Sequence, residues 1–228
     1  MTKNNRQIAP ADEGFSLISR QKLLALYSSM VRCRNIAERS GSRSKNGNWV
    51  LGHEAAAVGA AIDLLPHDTV VAALWPDAAL KAINPRVSIA QSISVASRSA
   101  LGNKNGHSIT VLLSSSRRSA QSSWVNALTL AAEHNLPFLF VSIGGPSANG
   151  KIAVAEVVPR NGRSYSMPLI AVDGNDVVAV YRVACEAITH ARKGNGPTLV
   201  DCRLSIPGDP LESMEKYLLD KGLAPTGL

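Results

Sequence analysis

Between Ser108 and Gly145 the chain reads SITVLLSSSRRSAQSSWVNALTLAAEHNLPFLFVSIGG, and this stretch constrains the fold more than any other. Two apolar runs, ITVLL and FLFVSI, bracket a polar loop and an alanine-rich segment with helical spacing over about 121–135. Strand, helix and strand in that order form a parallel crossover unit. Runs without polar alternation are buried on both faces, as strands inside a helix-covered parallel sheet are.

The same grammar extends in both directions. Ser19 is a fitting N-cap for a helix over about 20–40, in which Leu23, Leu24, Leu26, Tyr27, Met30 and Val31 recur at helical spacing. SGSRSKNGNW reads as a loop, after which His53 or Glu54 opens a second helix, EAAAVGAAIDLL, stopped by Pro66. Its small residues permit close backbone approach to a sheet or to another subunit. TVVAAL (69–74) reads as a buried strand, 75–86 as an irregular connection, 88–100 as a weak helix, and IAVAEVV (152–158) as a short strand. PLIAV is a strand, DGND a turn in which Asn175 or Asp176 caps a helix to Lys193, and Gly194 its stop. PTLVDCRL (197–204) is the last strand, and DPLESMEKYLLDKG the closing amphipathic helix. The expectation is an α/β protein: a polar, flexible tail over 1–15 and one domain over 16–228, with a mostly parallel sheet between helices.

Composition narrows the functional classes. Aromatics are 4% of the 228 residues, so the core rests on Ala, Val, Leu and Ile. No apolar run approaches the roughly 20 residues a membrane span needs, and MTKNNRQIAPADEGF has no hydrophobic core of the secretory kind. Cys33, Cys185 and Cys202 are odd in number and far apart, which points to reduced, buried thiols and a cytoplasmic setting. The formal charge of +7 is scattered and not interleaved with aromatics, which argues against nucleic acid.

Candidate chemical groups are few. Ser115, Ser116, Arg117 and Arg118 stand before a helix and form a candidate anion loop, since N–H groups and guanidinium suit an anion there. His53–Glu54 has the makings of an acid/base pair, but Glu54 equally braces a helix start. His190 sits near a helix C-terminus, and His107 and His134 have no partner in sequence. Ser114, Ser115 and Ser116 lack the G-x-S-x-G context of a hydrolase. Asp173 and Asp176 are accounted for by a turn and an N-cap. No spacing fits zinc, and no catalytic residue or metal ligand is assigned.

Four segments, in order, resemble the α subunit of thiamine-diphosphate-dependent 2-oxo acid dehydrogenases, the first component, including the acetoin branch. LISRQKLLALYSSMVRCRNIAERS leads into LGHEAAAVGAAIDLLPHDTVV, similar to the family's G-x-E-A-x-x-V-G helix and following L-x-P-x-D. VNALTLAAEHNLPFLFVSI resembles E-A-L-N-L-A-A-x-x-x-L-P-x-x-F-V. MPLIAVDGNDVVAVYRVACEAITHARKGNGPTLVDCRL carries V-D-G-N-D-V, A-R-x-G-x-G-P and the following strand. DPLESMEKYLLDKGL matches the late D-P-I helix. The resemblance implies a three-layer thiamine-diphosphate-binding fold, and partners in the form of a second copy or a β-subunit-like chain. Gly52, Glu54, Gly59, Asp173, Gly174 and Asp176 are then retained motif residues in structural or interface roles.

The resemblance also implies a loss. In the family the Asp of G-D-G and a later Asn ligate Mg²⁺, a hard cation that takes such oxygens. Here Ser115, Ser116 and Arg117 fall on G-D-G, Gly144–Gly145 on the Asn pair, and Asn126 on a Glu. A Tyr-Arg-Asp-His segment gives way to AALWPDAALKAINPR, leaving Trp75, Pro76 and Asp77. The family's histidine-bearing phosphate loop is missing before the last helix. The expectation is a degenerate subunit with no cofactor of its own, structural, regulatory or ligand-binding in role. The alternatives are a working dehydrogenase subunit whose thiamine diphosphate and Mg²⁺ are held mainly by a partner, and an anion- or nucleotide-binding α/β domain.

Overall fold

A computed structural model of the chain describes residues 18–41, 52–72, 89–104, 106–115, 121–144, 167–204 and 208–223. The elements are α1 (Arg20–Gly41), α2 (Glu54–Ala61), β1 (Thr69–Ala72), α3 (Ile89–Gly102), β2 (Thr110–Ser115), α4 (Gln121–Glu133), β3 (Phe138–Gly144), β4 (Leu169–Asp173), α5 (Val177–Arg192), β5 (Thr198–Arg203) and α6 (Pro210–Asp220). All five strands pair in parallel, in the order β1-β2-β3-β5-β4. The α/β class and the parallel sheet are as expected. The loop at 42–50, the connection at 75–86 and the strand at 152–158 lie outside the described residues.

The sheet separates two cores. Val70, Ala72, Val111, Leu113, Leu139, Val141, Ile143, Val200 and Cys202 alternate onto one face and meet Ala56, Ala57 and Ala60 of α2 with Val180, Ala184 and Ile188 of α5. Val71, Leu112, Phe138, Phe140 and Leu199 leave the other face and meet Ile93 and Ala96 of α3 and Trp124, Leu128 and Ala131 of α4. Central β3 is buried over Phe138–Ile143, whereas the edge strand β4 alternates between exposed and half-buried. That is how a both-sides-covered strand differs from the end of a sheet.

α1 and α6 add an outer layer on α2. Leu23, Leu26, Met30 and Cys33 of α1 and Leu211, Met214 and Leu218 of α6 close over Ala55 and Val58. Every residue from Glu54 to Ala60 is therefore buried inside this one chain. The small residues serve packing on both sides of α2, so residues 54–60 present no free face to a partner. A Cβ on Gly59 would lie 2.9 Å from Val180 Cβ and 3.0 Å from the Tyr181 backbone nitrogen, and glycine is what lets α2 and α5 touch.

Local signals set the helix ends. Ser19 Oγ accepts from the Lys22 N–H at 3.2 Å, opening α1 as expected. Asp176 caps α5, its Oδ1 accepting from Val178 and Ala179 at 2.9 and 3.0 Å, and Gly194 follows the helix at φ +74°. α2 stops at Ala61, four residues short of the expected end, because the Leu64 N–H turns back to the Ala61 carbonyl. That turn frees Asp63 for side-chain partners on α1 and α5.

Gly59→Ala is expected to destabilise the fold by about 1–3 kcal/mol through overpacking, read as a lower urea midpoint with unchanged slope. Val180→Ala in the same chain should recover part of that loss.

Candidate functional site

Ligands of open parallel sheets bind outside the carboxyl ends of the strands. Here those ends are Ala72, Ser115, Gly144, Arg203 and Asp173. Ser115 closes β2 opposite Ile143. Ser116, Arg117, Arg118, Gly145, Trp75, Pro76 and Asp77 lie outside the described residues. Gly144 closes β3 opposite Arg203, and its carbonyl accepts from the Leu204 N–H at 3.2 Å. Asp173 closes β4 on the far side of Arg203.

The turn after β4 is tightly determined. Asp173 Oδ1 accepts from the Asn175 N–H at 2.9 Å, and the Gly174 N–H donates to the Arg203 carbonyl at 2.7 Å. A Cβ at Gly174 would fall 3.0 Å from Leu204 Cδ2 and 3.1 Å from Cys202 Cβ, so the chain passes β5 too closely for a side chain. Beside this turn a cleft of about 180 Å³ opens against α6, lined by Asp173, Asp176, Val178, Ser213, Met214 and Tyr217 among others.

A divalent hard cation bridging a diphosphate needs carboxylate or amide oxygens. The described part of this edge does not fit such a group. Gly144 has no side chain, and the neighbour in register is the cation Arg203, whose Nε donates to Asp201 at 3.0 Å. Asp173 stands two strands from Gly144, roughly 10 Å away at the ordinary strand spacing. Among the described residues no three His, Cys, Asp or Glu side chains gather to hold a metal.

Glu54 lies elsewhere, in a buried ionic cluster. Its side chain is fully buried; Arg34 Nε donates to Oε1 at 2.9 Å and the Gly52 N–H to Oε2 at 3.0 Å. Gly52 takes φ +83° to reach it. Arg34 Nη1 also donates to Asp209 Oδ2 at 2.5 Å, while Asp209 Oδ1 caps α6 through the Leu211 N–H at 2.8 Å. Burial opposes the Arg34 charge, but hydrogen bonds to Asp209 and Glu54 outweigh it and raise its pKa. The Arg34 hydrogen bond is the largest influence holding the Asp209 carboxyl below its ordinary range. Both Glu54 oxygens are engaged in bracing, and the neighbouring His53 gives α2 no side-chain cap.

Two clusters went unread in the sequence. Asp63 accepts from Lys22 at 2.5 Å and from the Tyr181 hydroxyl at 2.7 Å, with the Cys185 thiol at 3.7 Å. Burial raises its pKa, but the Lys22 and Tyr181 hydrogen bonds and the Lys22 charge prevail and lower it. Asp68, whose side chain is fully buried, takes Arg192 in a two-pronged pair and accepts from the Leu65 and Ile109 N–H groups at 2.7 and 3.0 Å. Arg192 also donates to the His107 carbonyl at 2.8 Å. The only trace in sequence was the Asp of L-x-P-x-D, which says nothing of a partner on α5.

The thiols are free, but Cys185 is half-buried, not buried as expected. Burial pushes Cys33 up to about 11 and Cys202 up to about 12. It raises Cys185 too. His190 lines a shallow hollow of about 380 Å³ with Cys185, Glu186 and Lys193.

Comparison with known proteins then places these features. Residues 76–204, more than half of the chain, match a family described as "Dehydrogenase E1 component". The chain is 37% identical over 86 residues to the alpha subunit of acetoin:2,6-dichlorophenolindophenol oxidoreductase of Bacillus subtilis, covering 36% of this chain and 26% of that protein. It is 33% identical over 123 residues to the chloroplastic pyruvate dehydrogenase E1 component subunit alpha-3 of Arabidopsis thaliana, covering 42% and 29%. The alpha subunit of 3-methyl-2-oxobutanoate dehydrogenase of Mycobacterium tuberculosis is 34% identical over 100 residues, covering 41% and 27%. The aligned part thus spans under a third of each of these relatives. Among the described residues no helix is long and apolar enough to cross a membrane.

Two measurements check the charge and thiol geometry. Arg34→Met should cost about 3 kcal/mol, since it leaves Glu54 buried and uncompensated. The folded Asp209 pKa lies below that of the unfolded chain, so its contribution is complete above about pH 4 and fades as pH falls through the lower, folded value; in Arg34→Met that part of the acid sensitivity should shrink. Against a disulfide reagent at pH 8, all three thiols should react far more slowly in the native protein than in urea.

Proposed function

This chain belongs to the dehydrogenase E1 component family, and from that premise we propose that it is a catalytically degenerate, α-subunit-like member. On this reading it decarboxylates nothing alone and acts as a structural, regulatory or ligand-binding subunit, in the cytoplasm, with a second copy or a β-subunit-like chain. The observation that carries the reading is the end of β3. Where the resemblance expects an amide oxygen for Mg²⁺, Gly144 offers none, and its neighbour in register is Arg203. A guanidinium next to a divalent-cation position opposes the metal by charge. Ser116 in place of the loop's aspartate points the same way, because a hydroxyl brings no negative charge.

A second reading has one observation in its favour. The relatives are named as alpha subunits, so a site completed by another chain suits the family. Thiamine diphosphate and Mg²⁺ would then be held mainly by that partner, and this chain would serve a working oxidoreductase.

Calorimetry with thiamine diphosphate and Mg²⁺ should show no metal-dependent binding to this chain; micromolar binding sinks the degenerate reading. Ser116→Asp combined with Gly144→Asn restores an acid and an amide, and a gain in Mg²⁺-dependent binding is expected. Turnover of pyruvate with an artificial electron acceptor, in the presence of a co-expressed β-subunit-like partner, decides for the second reading.

A further inference from the structure

Four of the five histidines stand at one edge of the molecule, where the chain enters the strands from their amino ends. His67 comes just before β1 and His107 just before β2, His134 follows α4 on the way to β3, and His190 sits in the last turn of α5 before β5. β1, β2, β3 and β5 are neighbours in that order, so at the ordinary strand spacing the four approaches span roughly 15 Å. Contacts hold them together. Arg192 pairs with Asp68, next to His67, and donates to the His107 carbonyl. A Cβ on Gly196 would fall 3.0 Å from Asn135 Oδ1, so the residue after His134 lies against the turn that follows His190. His67, His107 and His134 are exposed and His190 is half-buried, beside the hollow of about 380 Å³ that Thr189, Lys193 and Asn195 also line.

Apart from the imidazoles, charge at this edge is balanced. Asp63 is held by Lys22 and Asp68 by Arg192. Of the other described groups here, Lys104 and Lys193 are cations, and Glu133 and Glu186 are carboxylates. Imidazole is the side chain whose charge changes between about pH 5 and 8, so protonation turns a balanced edge into a cationic one. α2, α3, α4 and α5 all end here, and the carbonyl ends of helices favour a cation beside them. Among the described residues no three His, Cys, Asp or Glu side chains gather to hold a metal, which leaves an anion as the complement. Segments 62–68, 103–109, 134–137 and 193–197 contain no aromatic residue on which a nucleic-acid base could stack. A second copy of the chain, at a formal charge of +7, would be repelled.

We propose that this amino edge, through His67, His107, His134 and His190 with Lys193, is a docking surface for an acidic segment of another protein, engaged as pH falls below neutral. The hollow beside His190 seats one of the partner's carboxylates. The surface lies at the opposite edge of the sheet from the missing metal ligands, and it stands or falls independently of the degenerate-subunit reading.

Fluorescence anisotropy of a labelled peptide of about ten aspartates, titrated with the full chain at low salt, tests it. The peptide's carboxylates are ionised at pH 6 as at pH 8, so a change in affinity reports on the protein. Saturable binding is expected, about tenfold tighter at pH 6 than at pH 8. Replacing all four edge histidines by glutamine should abolish that ratio, and replacing only the exposed His67, His107 and His134, which leaves the core untouched, should remove most of it. Lys193→Gln should weaken binding at both pH values and keep the ratio. His53→Gln, at the other end of α2, should change neither. Absence of saturable binding at pH 6, a pH ratio that survives in the triple variant, or tighter binding of an oligonucleotide of equal charge overturns the inference.

Discussion

The close approach of α2 to α5 is the constraint on which the rest of the molecule depends. α2 is enclosed by the sheet and α5 on one side and by α1 and α6 on the other, which its run of alanines, one glycine and one valine after Glu54 is narrow enough to allow. At Gly59 the gap is already closed by Val180. Interiors are packed as densely as organic crystals, so a residue enlarged here displaces a helix on each side. The alanines contribute little apolar area each; they matter because they bring larger neighbours, such as Leu26, Met30 and Ile188, into contact range.

Charge does the complementary work at the ends of these helices. Arg34 ties α1 to the start of α2 and the cap of α6, Asp63 receives α1 and α5, and Asp68 joins the foot of the sheet to the last turn of α5. Asp63 and Asp68 stand between the end of α2 and the start of β1, away from the carboxyl edge of the sheet. Among the described residues these ionic contacts brace helices, and the carboxyl ends of the strands carry Ala72, Ser115, Gly144, Arg203 and the turn-forming Asp173.

How much of this was legible follows from the range of each interaction. The β2–α4–β3 unit, the Ser19 and Asp176 caps and the Gly194 stop are local, written within a few residues of where they act, and they could be read directly. The end of α2 could not, because Ile62–Leu65 continues an apolar pattern while the backbone turns at Ala61. Asp68 and Arg192 stand 124 positions apart, and no spacing rule joins them. Ser142 interrupts an apolar strand so briefly that it reads as core; only the fold shows that its hydroxyl is unmet. The retained Glu54 was visible as a motif residue, but the cluster around Arg34 was not, since Arg34 stands 20 positions from Glu54 and 175 from Asp209.

The strand order has a consequence for how the chain is made. β5 lies between β3 and β4, yet among the described strands it is the last to be synthesised. Until residue 203 has left the ribosome, β3 has one unpaired edge, and β4 has no described neighbour at all. That open edge belongs to FLFVSIG, among the most apolar segments of the chain, and exposed apolar strand edges invite pairing with other chains. Between making α5 and inserting β5 the nascent chain therefore leaves this edge of β3 open, and a chain cut short of Thr198 would leave it so permanently.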